Sequence, residues 1–429
     1  MTEPIWRIGV AGLGTVGAGL LTYLADNPAF APAGHMAVVT AVSARSKSRP
    51  RPCDISELTW FDDPVALAAD PETDLFVELI GGSDGPAKAA VEAALKARKP
   101  VVTANKALIA EHGAALAALA EDMDVPLLFE AAVMGGVPAV KIVREALVGD
   151  EIHSISGILN GTCNYILTEM EATGRAFADV LAEAQRLGYA EADPTMDVGG
   201  FDAAHKITIL AALAFGCAPN FAAAQIEGIE GVDLLDIRMA KDLGYRIKLV
   251  ASAERSADGV LVRVHPSLAP LNHPLAQAGG ALNALFIEGE RCGRIFIQGP
   301  GAGAGPTAAA VAADISDVMA GGRRPVFQAP AETLAPFDPI DPSKMMGRAY
   351  LRFLVKDEPG VIAAVSETLA EAGVSIESFL QKPTEGAEGV PIVLTTHAVA
   401  ESVLMAAVER IAGLPAVLDR PRLLRIARI

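Results

Sequence analysis

The apolar run IWRIGVA at 5–11 passes directly into Gly12-Leu13-Gly14-Thr15-Val16-Gly17, and a helical pattern follows to about Asp26. Strand, GxGxxG turn and helix make the first half of a βαβ unit. The glycines let the backbone approach a pyrophosphate, which the helix N-terminus stabilises. A mere tight turn is the plain alternative, and the context argues against it. No other feature constrains the fold as much, because parallel strands need helical crossovers and so a sheet covered on both faces. The next segments keep the pattern: strands at 37–43, 75–80 and 101–103, and helices at 87–97 and 113–122. They predict a Rossmann-type doubly wound parallel sheet over residues 1–135.

From residue 136 the pattern changes. Strands at 152–159, 260–264, 284–288 and 294–298, with a helix at 178–187 stopped by Gly188, predict an α+β domain with a mixed sheet over 136–299. The glycine-rich stretch 299–320 opens a long helix that returns the chain to the first domain. Five prolines in 321–345 read as a stiffened linker. Residues 346–429 then follow the order βαββαβ, with strands at 350–355, 374–379, 390–396 and 423–426 and helices at 361–372 and 400–411. That order is ferredoxin-like.

Composition excludes several classes of partner. A net charge of −17 is wrong for nucleic acid and for anionic membranes. The four cysteines form no CxxC pair, so neither a disulfide framework nor a zinc site is expected. The N-terminus is no secretory signal, and glycine, proline or asparagine interrupts the two longest uncharged runs, 207–226 and 295–313. A cytoplasmic protein with reduced thiols is the expectation.

Chemistry concentrates in LGYAEADPTMDVGGFDAAHK at 187–206, where Glu191, Asp193, Asp197 and Asp202 precede Lys206. Asp202 and Lys206 share a helix face at i, i+4. Carboxylates can hold a substrate ammonium while a lysine gives or takes a proton. The plain reading of the pair is a solvated helix contact of about 0.2–0.5 kcal/mol. The strand at 37–43 ends in Ser43, Arg45, Ser46, Lys47, Ser48 and Arg49, with no carboxylate, so NADP is preferred and NAD is the alternative. Ser83 and Lys106 each follow a strand, where such a sheet binds its ligand; a turn and a surface lysine are the plain alternatives. The loop 130–137 offers carbonyl oxygens to a hard cation, or is only an interdomain turn. Asn160, Gly161 and Thr162 offer polar groups to a ligand. Cys163 is a buried thiol or a nucleophile, with no histidine placed to activate it.

Together GLGTVG (12–17), TANKALIA (103–110), EAAVMGGVPAV (130–140), GILNGTCNYIL (157–167), the 187–206 segment and GPGAGAGPTAAAVAADI (299–315) resemble homoserine dehydrogenase. YLRFLVKDEPGVIAAVSETLAEAGVSIES (350–378) resembles an ACT domain. The resemblance covers nearly the whole chain; GxGxxG is its least specific part, and the family often has threonine at Cys163. It implies reversible reduction of L-aspartate 4-semialdehyde to L-homoserine by NAD(P)H, in threonine, methionine and isoleucine biosynthesis. It implies Lys206 as proton donor, Lys106 sharing the acid–base work, and Glu191 and Asp202 on the substrate amino group. It implies Gly12, Leu13, Gly14, Thr15, Val16, Gly17, Arg45, Ser83, Lys106 and Gly303 at the dinucleotide. Glu130, Val133, Gly135 and Val137 match a monovalent-cation loop, for sodium. A homodimer or homotetramer and an amino-acid effector such as threonine at the ACT domain are further implications. A phosphorylating semialdehyde dehydrogenase using Cys163 and a non-catalytic amino-acid or dinucleotide sensor are the competing readings. A fused aspartate kinase is disfavoured by length.

Overall fold

The computed structural model describes residues 5–27, 30–32, 34–381 and 389–429. The first sheet contains β1 (Ile5–Ala11), β2 (Met36–Ser43), β3 (Thr59–Phe61), β4 (Leu75–Glu78), β5 (Val101–Thr103) and β6 (Leu127–Leu128). Their order is β3-β2-β1-β4-β5-β6, with every pairing parallel. The strand order reverses between β1 and β4, which opens a crevice at their carboxyl ends. β3, only three residues long, escaped the sequence reading.

The helix expected at 113–122 starts earlier, at Lys106, because the Asn105 side chain caps it by accepting from the Leu108 N–H. Lys106 is therefore the first residue of a helix at the crevice. The helix Ala304–Met319 returns to this half of the molecule and buries Val311 and Ile315 with Ile8 and Leu20.

The second sheet is built from β7 (Ile152–Ile158), β8 (Gln225–Ile226), β9 (Tyr245–Ser256), β10 (Gly259–Pro270), β11 (Leu282–Gly289) and β12 (Gly293–Pro300). The long hairpin β9–β10 is its centre. Only part of β10 was expected and none of β9, whose Arg246 and Lys248 break the apolar run. The helix Phe201–Phe215 packs on this sheet and is buried nearly all round; its uncharged run 207–215 has no polar face to turn to solvent.

The C-terminal strands are β13 (Met346–Gly347), β14 (Ala349–Val355), β15 (Ile376–Gln381), β16 (Val390–Thr396), β17 (Val399–Ala400) and β18 (Arg422–Ile426). The order β18-β14-β16-β15, with the helices Val361–Glu371 and Glu401–Ala412, realises the expected βαββαβ unit. β18 also pairs in parallel with β10, so both sheets merge into one of ten strands. The junction is charged. Asp236, fully buried, accepts from Tyr350 Oη at 2.9 Å and Arg352 Nε at 2.7 Å.

The proline-rich stretch 321–345 is packed rather than free: Phe327 is buried 5.6 Å from the Phe129 ring, and Gln328 donates to the Val143 carbonyl. Among the described residues no helix is long and apolar enough to cross a membrane.

Candidate active site

Gly200, in the left-handed region at φ 87°, turns the chain into the helix Phe201–Phe215 and leaves Asp202 in its first turn. A carboxylate there is favoured by the helix dipole. Asp202 and Lys206 lie one turn apart, and both are buried (5% and 8% exposed). Asp202 Oδ2 accepts from Lys206 Nζ at 2.8 Å, and Asp202 Oδ1 faces Lys106 Nζ at 2.7 Å. One carboxylate thus joins two lysines from opposite halves of the molecule. A solvated helix pair is ruled out by this burial and by the second lysine.

Asn160 completes the cluster. Its Oδ1 caps the helix Gly161–Thr173 by accepting from the Cys163 N–H at 2.7 Å. The cap fixes the amide orientation, and Nδ2 then reaches Asp197 Oδ1 at 2.7 Å and Asp202 Oδ2 at 2.9 Å. Lys206 Nζ also donates to the Leu159 carbonyl at 2.7 Å, and Asn283 Nδ2 donates to that same oxygen at 2.9 Å.

The charges act on one another. Burial pushes the Asp202 carboxyl up, but the Lys206 and Lys106 ammonium groups outweigh it and hold the group well below the usual carboxylate range. Asp202 raises Lys106. Burial, with the Lys106 charge, pulls Lys206 below an ordinary lysine despite Asp202. Burial raises Asp197. Lys106 and Lys206 are therefore unequal, and the buried one releases its proton more readily.

A cavity of about 700 Å³ opens over this cluster, lined by Val16, Lys106, Gly135, Asn160, Gly161, Thr162, Glu191, Asp197, Asp202, Lys206, Asn283 and Gly303 among others. A second cavity of about 610 Å³ lies on the other side of the glycine turn and includes Leu13, Gly14, Thr15, Arg49 and Arg51. A Cβ on Gly12 would come within 2.3 Å of the Leu79 carbonyl oxygen, whereas one on Gly14 would meet nothing within 4 Å. Gly12 allows β1 and β4 to pack closely, and Gly14 leaves open space where a pyrophosphate fits.

Other expected site residues are placed less simply. Thr162 Oγ1 donates to the Tyr189 carbonyl and so tethers the cavity rim. Glu191 is exposed on that rim. Ser83 donates to Asp84, and neither Ser83 nor Arg45 borders the two cavities. Cys163 is buried, donates to the Asp197 carbonyl, and is held well above a free thiol by burial. It is unsuited to nucleophilic attack. His205, beside Lys206 in sequence, points elsewhere and stacks on Phe221.

Sequence reasoning counted Asp197 among the carboxylates able to hold an ammonium without giving it a role of its own, and missed Asn283, which no local pattern marks. It also missed Arg51, whose guanidinium donates to the Ser46, Lys47 and Arg49 carbonyls and shapes the basic loop.

In the loop 130–137 the Glu130 carboxylate accepts the Val140 and Lys141 N–H groups at 3.1 and 2.7 Å. Its side chain is thereby committed, and a cation would be held by loop carbonyls. Uncharged oxygens of that kind suit a hard cation. Burial, reinforced by Asp314, pushes Glu130 up to about 7, and burial pushes Asp314 up to about 6. Carboxyls raised in the folded state stabilise it below their unfolded values and lose that contribution as pH rises through the folded ones. The thermal midpoint of Asp314→Asn should therefore fall less than that of the parent between pH 5 and pH 8. Equal slopes would refute the buried pair as a proton holder.

Residues 12–130 match the family described as homoserine dehydrogenase, NAD binding domain, residues 138–316 that described as homoserine dehydrogenase, and residues 349–416 the ACT domain. The chain is 43% identical to the homoserine dehydrogenase of Neisseria gonorrhoeae, with 97% of each covered. It superposes on the crystal structure of a homoserine dehydrogenase from Thiobacillus denitrificans with a TM-score of 0.91, at 40% identity over 99% of this chain and 98% of that one. A hyperthermophilic archaeal homoserine dehydrogenase solved in complex with NADPH is similar at 27% identity and a TM-score of 0.65, over 75% of this chain and 99% of that one. Matches to both halves of the enzyme and to the ACT domain, with relatives of this identity over nearly the whole chain, show that the chain belongs to the homoserine dehydrogenase family.

Proposed function

We propose that this NAD(P)-dependent reduction of L-aspartate 4-semialdehyde runs on the Lys106–Asp202–Lys206 cluster, the observation that carries the reading. The bound nicotinamide supplies the hydride. Lys206 donates two of its three N–H bonds, to Leu159 and Asp202, so one remains for the carbonyl oxygen of the substrate. As charge develops on that oxygen, Lys206 stabilises it and gives up the proton. Lys106 keeps the local field positive and steadies the nicotinamide edge of the cavity.

Asp202 was expected on the substrate ammonium. Its oxygens already serve both lysines and Asn160, so the proposal gives it the task of holding the lysines. Glu191 and Asp197, both bordering the cavity, take the ammonium. Asn160 and Gly161 shape the floor, and Thr162 holds the rim.

NADP is the preferred cofactor. The loop after β2 carries arginines and no carboxylate, the glycine turn leaves room for the dinucleotide, and the related archaeal enzyme was solved with NADPH. Charge-assisted contacts to a 2′-phosphate are worth about 1.5–3 kcal/mol. Replacing Arg45 or Arg49 with alanine should raise KM for NADPH roughly tenfold or more and leave KM for NADH within about twofold. Equal effects on both cofactors would refute 2′-phosphate recognition by this loop.

The remaining parts of the proposal are a sodium ion at the Glu130, Val133, Gly135 and Val137 carbonyls, an oligomer (dimer or tetramer), a place in threonine, methionine and isoleucine synthesis, and an amino-acid effector such as threonine at the ACT domain. The experiment that tests the core of the proposal is steady-state reduction of aspartate semialdehyde by NADPH, without phosphate. Turnover that needs phosphate would overturn it.

A further inference from the structure

Lys248 lies on β9, 1% exposed, well inside the substrate domain. Its ammonium donates to two neutral oxygens, Asn164 Oδ1 and the Ala278 carbonyl, each at 2.7 Å. Burial and the neighbouring Arg246 pull its proton affinity down to about 8. The Glu171 carboxylate nearby favours the charge, but both hydrogen bonds go to neutral acceptors, a costly arrangement for a buried cation.

The hydrogen bonds lead to the active site. Asn164, also 1% exposed, donates through Nδ2 to the Ala278 carbonyl at 3.1 Å and the Leu282 carbonyl at 3.0 Å. Lys248 and Asn164 thus clamp both ends of the segment 278–282. The next residue, Asn283, holds the Leu159 carbonyl, the oxygen that also receives Lys206 Nζ. The clamped segment leans on the first residue of the Asn160-capped helix: a Cβ on Gly161 would stand 2.7 Å from the Ala281 carbonyl oxygen. Ala281, Leu282 and Asn283 form part of the cavity wall.

From this arrangement we infer that Lys248 is a positioning residue: through Asn164 and the segment 278–283 it fixes the Leu159 carbonyl, and with it the direction of the Lys206 ammonium. It touches neither substrate nor cofactor. The inference rests on the proposed role of Lys206. Misplacement of a reacting group by about 1 Å costs about a hundredfold in rate, so a remote clamp of this kind is felt in kcat.

The test uses the full-length enzyme with Lys248→Met, Asn164→Asp and Asn164→Leu, and with the double variant Lys248→Met/Asn164→Leu. Lys248→Met should lower kcat about 10- to 100-fold, with KM for NADPH within about twofold. Asn164→Asp keeps an acceptor for Lys248 and supplies a counter-charge, but loses both N–H bonds to the segment. Assayed well below its own thermal midpoint, it should still lose kcat to the same degree, which separates positioning from stability. The double variant carries no charge at either position and should be no worse than the poorer of its two neutral single variants, because both break one clamp. In every variant the alkaline limb of kcat should move, since the Leu159 oxygen no longer holds the Lys206 proton as before. Full kcat in Asn164→Asp, additive losses in the double variant, or an unmoved alkaline limb would each overturn the inference. Lys206→Met is assayed alongside. If it abolishes turnover while the clamp variants do not, the clamp is refuted and the role of Lys206 stands. If it turns over freely, the role of Lys206 fails first.

Discussion

Lys206→Met should lower kcat for aspartate semialdehyde reduction by about 10²–10⁴-fold, the usual worth of a positioned general acid, and leave KM for NADPH within about threefold. The substitution keeps most of the side-chain volume in a buried site and removes only the donor. Asp202 stays paired with Lys106, so the folded state is largely preserved. The direction of pH dependence follows from the same geometry. Reduction needs the ammonium, so kcat falls on the alkaline side, as Lys206 gives up its proton. Burial and the Lys106 charge bring that point below an ordinary lysine. Oxidation of homoserine needs the free amine, so its rate rises through the same region. Lys106→Met removes a like charge and leaves Asp202 to Lys206 alone, which should move both limbs to higher pH. Stopped-flow or steady-state rates at pH 6–10 in both directions measure this. A tenth or more of the parent kcat in Lys206→Met would mean that the proton comes from elsewhere.

The fold was legible where period and punctuation are strong. The glycine turn with its flanking strand and helix, the alternation up to residue 130 and the βαββαβ order at the C-terminus reported themselves directly. β9 did not. Its side chains Arg246 and Lys248 are charged yet fully used inside the protein, by Glu171 and by Asn164, and a charged residue in an apolar run reads as an exposed one. The union of the two sheets through β10 and β18 was equally hidden, because strand neighbours far apart in sequence leave no local trace. In the site, residues carried by one segment were found together: Glu191, Asp197, Asp202 and Lys206 all border one cavity. What could not be read was their division of labour. Lys106 had to be brought 2.7 Å from Asp202 by the packing of two domains before that carboxylate could be seen as a bridge between lysines. Asn283 and Lys248 reach the site through the Leu159 and Ala278 carbonyl oxygens and the Asn164 amide, whose positions depend on the whole fold.

Asp202→Asn should be the most damaging single exchange in the site. It leaves two ammonium groups on either side of a neutral amide in a buried place. Removing one partner from a buried charge cluster costs about 3–5 kcal/mol, so chemical denaturation at pH 7 should show a loss of that order. The pH dependence identifies the cause. The Asp202 carboxyl is held far below its unfolded value. Its contribution is therefore present above about pH 4, the unfolded value, and is lost as pH falls further toward the folded one. The stability gap between parent and variant should narrow as the pH drops below about 4. On the alkaline side the variant has a Lys206 that loses its proton more easily, because the favourable carboxylate is gone. A base depressed in the folded state gives stability back as pH rises through its folded value, so the variant should recover there relative to neutral pH. Activity follows the same charge. With a smaller share of Lys206 in the ammonium form than in the parent, reductive kcat falls, and part of it returns as the pH is lowered and the ammonium re-forms. A direct contact between Asp202 and the substrate ammonium would instead raise KM at every pH and leave the slope of stability against pH unchanged. A loss below about 1 kcal/mol at neutral pH, the level of an exposed ion pair, would show that the carboxylate does not hold the lysines.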